Sequence, residues 1–294
     1  MNRFYRYLIS TVFLLRALVS PLQVFAGDDD VRETVLTLAN DMIATHAEPP
    51  DAEDLQPAAV LMIHGFASQM NEVGDMYLRL AEELAEEGVP SLRINIRGES
   101  EREKTGFRIT STFASRITDA ETGLAFLRET YPDAQIGVVG FSLGGSTAMA
   151  LAGRQPEAID SLVLWSTAGN PGSVVRNPEQ AAAYRKALDE GEAVLKEWVD
   201  LTITREHIIG MLGYSVIEPL SAYTGALLSI RGTGDFVPRH EDAILAAASA
   251  SPAEFRIIDG ADHIFQAFDP DSTYDDRVID ATEDWLEDTL GFDG

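Results

Sequence analysis

Cysteine is absent from this chain of 294 residues. A protein without cysteine has no disulfide framework, no thiol nucleophile and no thiolate metal site. The absence leaves the redox compartment undecided, because reduced and oxidised compartments both contain such proteins. The length suits one large α/β domain or two small ones, with enough material for a hydrophobic core.

Basic residues are scarce as well. Lysine and arginine number 22 against 48 aspartates and glutamates, and the formal net charge is −26. A surface this negative repels nucleic acid and anionic lipid, so we expect neither as a partner. Two interpretations of the acidity stay open. Either the protein comes from a salty habitat, in which surface carboxylates keep it hydrated and soluble, or it is an ordinary acidic secreted protein.

The apolar run near the N-terminus is too short to span a membrane, which takes ~20 residues. Arg3 and Arg6 precede the stretch LISTVFLLRALV, and the segment ends in VFA at Ala26. A positive start, a short apolar stretch and a small final residue resemble a secretory signal peptide over residues 1–26. We therefore expect a secreted or periplasmic protein that is not stably inserted in a membrane after removal of this segment. The alternative is an uncleaved membrane anchor, whereas a lipoprotein anchor is excluded because no cysteine follows.

Beyond residue 30, apolar runs of strand length alternate with stretches of helical periodicity. Strands alternating with helices indicate a mostly parallel central sheet with helices on both faces. Residues 170–224 break this alternation, and we interpret them as a cap inserted in one αβ connection, with the helical stretch AAAYRKALDEGEAVLKEW inside it. The predicted strands are 31–38, 42–46, 58–63, 91–96, 136–140, 161–165, 226–230 and 254–258.

One serine stands between glycines at the point where a predicted strand becomes a predicted helix. Gly140-Phe141-Ser142-Leu143-Gly144 matches G-x-S-x-G, a weak pattern that gains weight from the buried-type strand before it and the small-residue helix after it. Such an abrupt turn holds the serine in a strained conformation, and side chains two residues away on either side would collide. We predict Ser142 as a nucleophile, and an ordinary serine in a tight turn is the alternative.

A serine hydroxyl near neutral pH needs a base. Of the five histidines, His263 follows the last predicted strand, and loops at the carboxyl ends of parallel strands are where such sheets place their chemistry. The others are less suitable. His46 lies in the early hairpin, His207 lies in the cap, His240 follows Asp235 too closely, and His64 is expected to brace its own loop.

The imidazole needs an acceptor that fixes its tautomer and stabilises its cation. Asp235 ends the loop Arg231-Gly232-Thr233-Gly234 after the strand 226–230, and the chain order serine, aspartate, histidine is the order that this kind of sheet requires. We therefore predict Asp235 in this role. The rival acids are Asp259, Asp262 and Asp269.

Backbone N–H groups are expected to stabilise a negatively charged oxygen beside Ser142. The N–H of Leu143 lies at the predicted helix N-terminus, directly after the serine. The second donor is expected from the loop His64-Gly65-Phe66-Ala67, where glycine lets the backbone approach the substrate. The sequence therefore predicts an oxyanion hole formed by the N–H groups of Phe66 and Leu143.

Together these residues resemble the serine α/β-hydrolase family over about residues 31–290. The resemblance is closest to esterase-like branches that share HGF before the first long helix, a G-x-S-x-G-G elbow, and GTxD followed by GADH. Cinnamoyl and feruloyl esterases and serine-aminopeptidase-like hydrolases are similar in this order. Two departures stand out. The chain reads Arg97-Gly98-Glu99-Ser100 where relatives often carry an RGHGxS-like turn, and Leu143 stands where some phenolic esterases have glutamine.

The resemblance implies an α/β-hydrolase fold over residues 27–294, with 170–224 as the cap that shapes the acyl or alcohol pocket. It implies a catalytic triad of Ser142, Asp235 and His263, with no metal and no organic cofactor. The expected activity is hydrolysis of small-molecule carboxylic esters through an acyl-enzyme. The alternatives are a peptidase or amidase acting on short peptides, and a non-catalytic small-molecule-binding protein on the same fold.

Overall fold

The computed structural model describes residues 20–26, 31–51, 53–99, 107–172, 175 and 177–292. Within these ranges strands and helices alternate along the chain. The strands are β1 (Ser20–Ala26), β2 (Arg32–Leu38), β3 (Met42–Glu48), β4 (Ala58–Ile63), β5 (Ser91–Ile94), β6 (Arg108–Ile109), β7 (Gln135–Phe141), β8 (Ser161–Trp165), β9 (Glu192–Lys196), β10 (Asp200–Thr204), β11 (Ala226–Gly232) and β12 (Ala253–Ile258). The α-helices are α1 (Met76–Glu86), α2 (Phe113–Thr130), α3 (Leu143–Arg154), α4 (Pro178–Glu190), α5 (Arg205–Gly210), α6 (Glu241–Ala247) and α7 (Tyr274–Leu290).

Nine of the described strands form one sheet in the order β1-β2-β3-β5-β4-β7-β8-β11-β12. The strands from β5 to β12 in that order run parallel. The three at the other edge pair antiparallel, and β3 is antiparallel to β5 as well. The predicted α/β class with a mostly parallel sheet is therefore confirmed.

Helices cover both faces of the sheet, and alternate side chains of each central strand pack against the helices of one face or the other. In β4, Leu61 and Ile63 belong to one apolar cluster, which also contains residues of α2 and α3. Their neighbours Val60 and Met62 belong to a second cluster, with residues of α1 and α7. Successive side chains of a strand point to opposite faces, which is why the central strand β4 is apolar at every position and fully buried.

The connection between β8 and β11 contains α4, β9, β10 and α5. Here β9 and β10 form a second sheet with β6, a short strand that precedes α2 in the chain. This small sheet buries its own apolar cluster, including Ile109, Leu195 and Ile203. The predicted cap segment is therefore tied to the main domain by a strand from outside it.

The structure differs from the sequence prediction inside this segment. The stretch AAAYRKALDEGEAVLKEW is helical only as far as Glu190, and β9 follows Gly191. Gly191 has φ +102°, which stops the helix. After it, Ala193 and Leu195 are buried while Val194 between them is exposed, and this two-residue period is that of a strand.

No helix in the described part of the chain is both long enough and apolar enough to cross a membrane. Strand β1 lies within the segment predicted as a signal peptide and pairs with β2. Residues 1–19 of that segment lie outside the described residues. The signal peptide therefore stays a prediction.

Candidate active site

Ser142 is the single residue between strand β7 and helix α3. Its backbone has φ +52° and ψ −114°, a region that costs a non-glycine residue of order 1–3 kcal/mol. Neighbouring backbone holds it there. The Ser142 N–H donates to the Trp165 carbonyl at 2.8 Å, and the Ser142 carbonyl accepts the N–H of Ala168 at 3.1 Å. The strained turn that the G-x-S-x-G pattern predicts is present at this serine.

The glycines around Ser142 are required by close backbone approach. A Cβ on Gly140 would lie 2.6 Å from the Gly144 carbonyl oxygen. A Cβ on Gly144 would lie 1.9 Å from the carbonyl oxygen of Ile63 and 2.7 Å from that of His64. The start of α3 therefore lies directly against the end of β4 and the loop that follows it.

That approach places the two predicted oxyanion donors on adjoining segments. Phe66 lies in the loop after β4, and Leu143 is the first residue of α3. The N–H of a first helical residue has no partner inside its helix, so it is free to bind a ligand. The N-terminal end of α3 also carries partial positive charge, which favours a developing anion.

The structure brings Ser142, Asp235 and His263 together at the carboxyl ends of β7, β11 and β12. His263 Nε2 lies 3.1 Å from Ser142 Oγ, across 121 positions of sequence. His263 Nδ1 lies 2.8 Å from Asp235 Oδ1, across 28 positions. The histidine thus donates to the carboxylate through one nitrogen and can accept the serine proton at the other.

Two glycines allow the loops of Asp235 and His263 to approach each other. A Cβ on Gly232 would lie 2.1 Å from the Ala261 carbonyl oxygen. The N–H of Gly234 donates to the same carbonyl at 2.8 Å. Glycines in the Asp235 loop therefore let this loop pack close enough to the His263 loop for the aspartate to bind the histidine.

The three rival acids have other partners. Asp259 accepts the Thr233 hydroxyl at 3.1 Å. Asp262 accepts the N–H groups of Ile264 and Gln266, and Asp269 accepts the N–H of Asp271. Among the described acidic residues, Asp235 is the one that meets the His263 ring.

The environment of Asp235 keeps it charged. Burial alone raises the pKa of this carboxyl, but the hydrogen bond and charge of His263, the N–H of Val237 and the charge of Arg231 outweigh burial, so the pKa lies below its usual value. Arg231 Nη1 lies 3.2 Å from Asp235 Oδ2. The arginine is itself buried, and it is paired with Glu241 and bonded to the Val237 carbonyl. A charged acceptor behind an imidazole favours the imidazolium.

Two aromatic rings pack against His263. The ring centroids of Phe141 and Phe236 lie 5.2 Å and 4.5 Å from that of the histidine. Phe141 is buried, whereas Phe236 is 52% exposed. Two aromatic rings thus pack against the imidazole, and Phe236 is the one that solvent reaches.

The remaining histidines have structural contacts. His64 accepts the Ile96 N–H at Nε2, at 3.0 Å, which agrees with the expected bracing role. His46 lies 2.9 Å from the Tyr131 hydroxyl on the antiparallel side of the sheet. In the cap, His207 Nδ1 lies 2.9 Å from the Ser111 carbonyl. A Cβ on Gly169 would lie 2.5 Å from the ring of His240, which packs beside that backbone.

Sequence reasoning missed a set of buried charges next to this site. Glu72, Glu99 and Arg116 are 0–1% exposed and contact the loop that contains Phe66. The sequence marks Glu99 only as a departure from the turn of related chains and does not show that it is buried. A signal for Arg116 was present, because it shares the helical face of Phe113, Ile117 and Ala120, whose spacing is that of a buried stripe.

No group of three or more acidic or histidine side chains that could hold a metal ion occurs within the residues described by the structure. The described side chains at the site are a hydroxyl, an imidazole, a carboxylate and aromatic rings. These groups can perform nucleophilic and general acid–base chemistry without further components.

A family model described as alpha/beta hydrolase fold matches residues 58–209. Among solved structures, ferulic-acid-bound Est1E from Butyrivibrio proteoclasticus is 17% identical, with 86% of this chain and 97% of that one covered and a TM-score of 0.66. A soluble variant of monoglyceride lipase from Saccharomyces cerevisiae, in complex with a substrate analogue, is 14% identical (96% and 99% covered, TM-score 0.67). A carboxyl esterase from Bacillus coagulans is 12% identical (89% and 99% covered, TM-score 0.64). No curated protein matches the chain by sequence.

Proposed function

Because this chain belongs to the alpha/beta hydrolase fold family, we propose that it is a serine carboxylesterase whose catalytic residues are Ser142, His263 and Asp235. The sequence resemblance to that family, stated above, is confirmed by the match. Esterases and lipases share the fold over nearly their whole length. Fold alone does not assign chemistry, so the proposal rests on the geometry of the three side chains.

The first step is attack on the ester carbonyl. His263 Nε2, 3.1 Å from Ser142 Oγ, takes the hydroxyl proton as the oxygen bonds to the carbonyl carbon. Asp235 holds the ring in the tautomer that leaves Nε2 unprotonated, and it stabilises the imidazolium that forms.

The tetrahedral intermediate carries its negative charge on the former carbonyl oxygen. We assign the N–H groups of Phe66 and Leu143 to this oxygen. Two donors on rigid backbone, one of them at a helix N-terminus, stabilise the charge without rearrangement.

Collapse of the intermediate releases the alcohol. Protonated His263 donates its proton to the leaving alkoxide, which leaves the acyl group on Ser142 Oγ. A water molecule then gives its proton to His263 and attacks the acyl carbon. When the second intermediate collapses, protonated His263 returns the proton to Ser142 Oγ as the acid leaves, so the enzyme is regenerated.

The surroundings of the site favour neutral, apolar substrates. The rings of Phe141 and Phe236 pack against His263, and the chain as a whole is strongly negative. Anionic acyl groups are disfavoured by that charge. Chain-length preference follows from a panel of p-nitrophenyl esters, and methyl ferulate tests for an aromatic acid of the kind bound by Est1E.

The observation that carries the proposal is the unbroken row of hydrogen bonds from Asp235 through His263 to Ser142. The test is hydrolysis of p-nitrophenyl butyrate by the wild type, Ser142→Ala and Ser146→Ala. Ser146 lies one turn further along α3, and its buried hydroxyl has no hydrogen-bond partner among the described residues, so its loss controls for general damage to the helix. We expect Ser142→Ala to lose at least about 10⁴-fold in kcat and Ser146→Ala to keep most activity.

Turnover by Ser142→Ala at the wild-type rate would remove this serine from the mechanism. An enzyme that prefers amides when rates on matched ester and amide substrates are compared would instead be a peptidase or amidase that uses the same residues. A wild type inert on both, with an unreactive serine, would be a binding protein.

A further inference from the structure

The loop that contains Phe66 is held between two buried carboxylates. Glu72 Oε2 accepts the Gly65 N–H at 2.6 Å. Glu99 Oε2 accepts the Ala67 N–H at 3.0 Å. The N–H groups on both sides of Phe66 are thus engaged, and the Phe66 N–H between them is the one that the loop can offer to a substrate. Ala67 has φ +49°, a strained value that its bond to Glu99 helps to maintain.

Arg116 pairs with the second of these carboxylates. Its Nη1 donates to Glu99 Oε2 at 2.6 Å, and both side chains are 0% exposed. Its Nη2 donates to the His64 carbonyl at 2.6 Å, and its Nε donates to Thr147 Oγ1 at 3.1 Å. One guanidinium therefore joins Glu99, the first residue of the loop and the helix that begins at Leu143.

The pair is charged. Burial raises the pKa of Glu99, but the charge of Arg116 opposes burial most strongly, with help from His64, His207 and the hydrogen bond from Arg116, and lowers the pKa to about 2. A lone carboxylate behind the oxyanion hole would repel the negative oxygen of the intermediate. Arg116 cancels that charge while leaving the carboxylate able to accept the Ala67 N–H.

The other oxygen of Glu99 faces the cap. Ser111 Oγ donates to Glu99 Oε1. The Ser111 carbonyl lies 2.9 Å from Nδ1 of His207 in α5, and the His207 and Phe66 rings lie 5.5 Å apart. Ala67 of the loop and Arg116 of α2 therefore bind one oxygen of the carboxylate, and Ser111 connects the other oxygen to the cap.

We propose that Glu99 and Arg116 are positioning residues of the oxyanion hole: Glu99 holds the loop that presents the Phe66 N–H to the substrate, and Arg116 neutralises the Glu99 carboxylate. This inference rests on the proposed esterase function. It also gives a role to the turn Arg97-Gly98-Glu99, where the chain departs from the pattern of its relatives. Neither side chain touches the reacting atoms.

The test is Glu99→Gln. Glutamine keeps the shape but has one acceptor oxygen, so it cannot keep all three bonds that Glu99 accepts from Ala67, Arg116 and Ser111, and the loop that contains Phe66 is held less firmly. We expect kcat for p-nitrophenyl butyrate to fall roughly 10- to 100-fold, somewhat less than the loss of a whole oxyanion donor. KM stays close to the wild-type value, because the interaction acts in the transition state. Inhibition by an alkyl trifluoromethyl ketone, which forms an oxyanion on Ser142, weakens by a similar factor.

The matched control is Asp119→Asn. Asp119 lies one turn further along the same helix α2, is 1% exposed and pairs with Arg97 of the same turn, at 2.6 Å. It makes no hydrogen bond to the Phe66 loop. Asp119→Asn thus removes an equivalent buried charge, and we expect it to lower stability while leaving kcat and the ketone inhibition constant unchanged.

Glu99→Gln leaves a buried charge unpaired and so carries a risk of misfolding, which Glu99→Gln/Arg116→Gln relieves by removing both charges. Hydrogen exchange of the peptide 64–72 gives a readout that needs no turnover. We expect faster exchange there in the Glu99 variants and unchanged exchange in Asp119→Asn. A wild type without esterase activity would contradict the proposed function. Hydrogen exchange of this peptide would still test whether Glu99 and Arg116 hold the loop in place. Folded Glu99 variants with wild-type kcat, ketone inhibition and exchange would overturn the inference.

Discussion

Asp235 illustrates how much depends on the orientation of a single side chain. Its Oδ1 accepts both the His263 ring N–H and the Val237 N–H, the latter at 2.8 Å. The backbone bond holds the carboxylate plane while the ring bond sets the tautomer of the histidine. An amide of the same size that presents its NH₂ group to the ring would reverse the tautomer, and it would also lose the bond from the Val237 N–H, because one oxygen accepts both.

Asp235→Asn is therefore expected to lower kcat about 10³- to 10⁴-fold, with little change in KM. The measurement is steady-state hydrolysis of p-nitrophenyl butyrate. Asp259→Asn is the control, since Asp259 follows the next strand and bonds Thr233. Full activity in Asp235→Asn with loss in Asp259→Asn would transfer the role to Asp259.

The residues of the proposed triad could be picked out from sequence because each follows a strand of the predicted sheet and glycines mark the turns. Glu99, Arg116 and Glu72 could not, because their significance depends on burial. Glu99 stands in a charged stretch, and only the fold shows that it turns inward to Arg116 across 17 positions. Sequence patterns locate loops, whereas the pairing of buried charges depends on three-dimensional packing.

Among the secondary structure elements, α1 and α7 bring like charges together. Glu83 of α1 has a buried Oε2 without a hydrogen-bond partner among the described residues. Burial is the largest contribution that raises the pKa of this carboxyl. The nearby charges of Glu283, Asp280 and Asp276 raise the pKa further and the charge of Arg79 lowers it, so that it lies at about 7. Since this exceeds the ordinary value of 4.5, the folded protein holds the proton more tightly than the unfolded chain.

The contribution of Glu83 to stability is thus complete below about pH 4.5 and is lost as the pH rises through about 7. We expect Glu83→Gln to raise the unfolding temperature at pH 8, on the order of 1 °C once solvent screening is allowed for, and to change it little at pH 4.5. Thermal unfolding at both pH values measures this. Glu86→Gln, on the exposed side of the same helix, is the control. An equal effect at both pH values would contradict the explanation.

The order of elements could be predicted well where the apolar runs are long, as in β4, β7 and β11. The cap was predicted less well, because its strands are short and follow a helix without a change in composition. The pairing of β6 with β10 joins residues 108–109 to 202–203, and no local sequence pattern predicts a contact between such distant segments. Strands β6 and β10 therefore depend on pairing between distant segments rather than on local sequence patterns.

We propose that residues 1–26 are removed on export. Strand β1 lies in this segment, so cleavage would leave β2 as the edge of the sheet, with β3 still paired to it. Mass spectrometry of protein exported from an expressing bacterium should then show Gly27 as the first residue. In Ala26→Leu, which replaces the small residue at the cleavage site, the segment should be retained. An exported wild type that keeps residues 1–26 would contradict the proposal.

At the scale of the whole molecule, the dominant feature is the net charge of −26. Repulsion among surface carboxylates destabilises the compact state, and salt screens it within a Debye length of about 8 Å at physiological ionic strength. Screening alone is nearly complete by about 1 M salt, where the Debye length has fallen to about 3 Å. A further gain in stability at higher salt would indicate carboxylates adapted to a saline medium.

If the acidity is an adaptation to a salty habitat, the unfolding midpoint should rise steadily across a NaCl series up to several molar. Thermal unfolding followed by circular dichroism at constant pH measures it. A midpoint that levels off by a few tenths molar would indicate an ordinary acidic protein, in which salt only screens repulsion.

The central claim is that His263 activates Ser142 as a nucleophile. The most direct measurement is labelling with a fluorophosphonate probe followed by peptide mass spectrometry, on the wild type and on His263→Ala. We expect a single adduct on Ser142 in the wild type and its loss in His263→Ala. An unlabelled wild type, an adduct on a different serine, or equally fast labelling without His263 would contradict the claim.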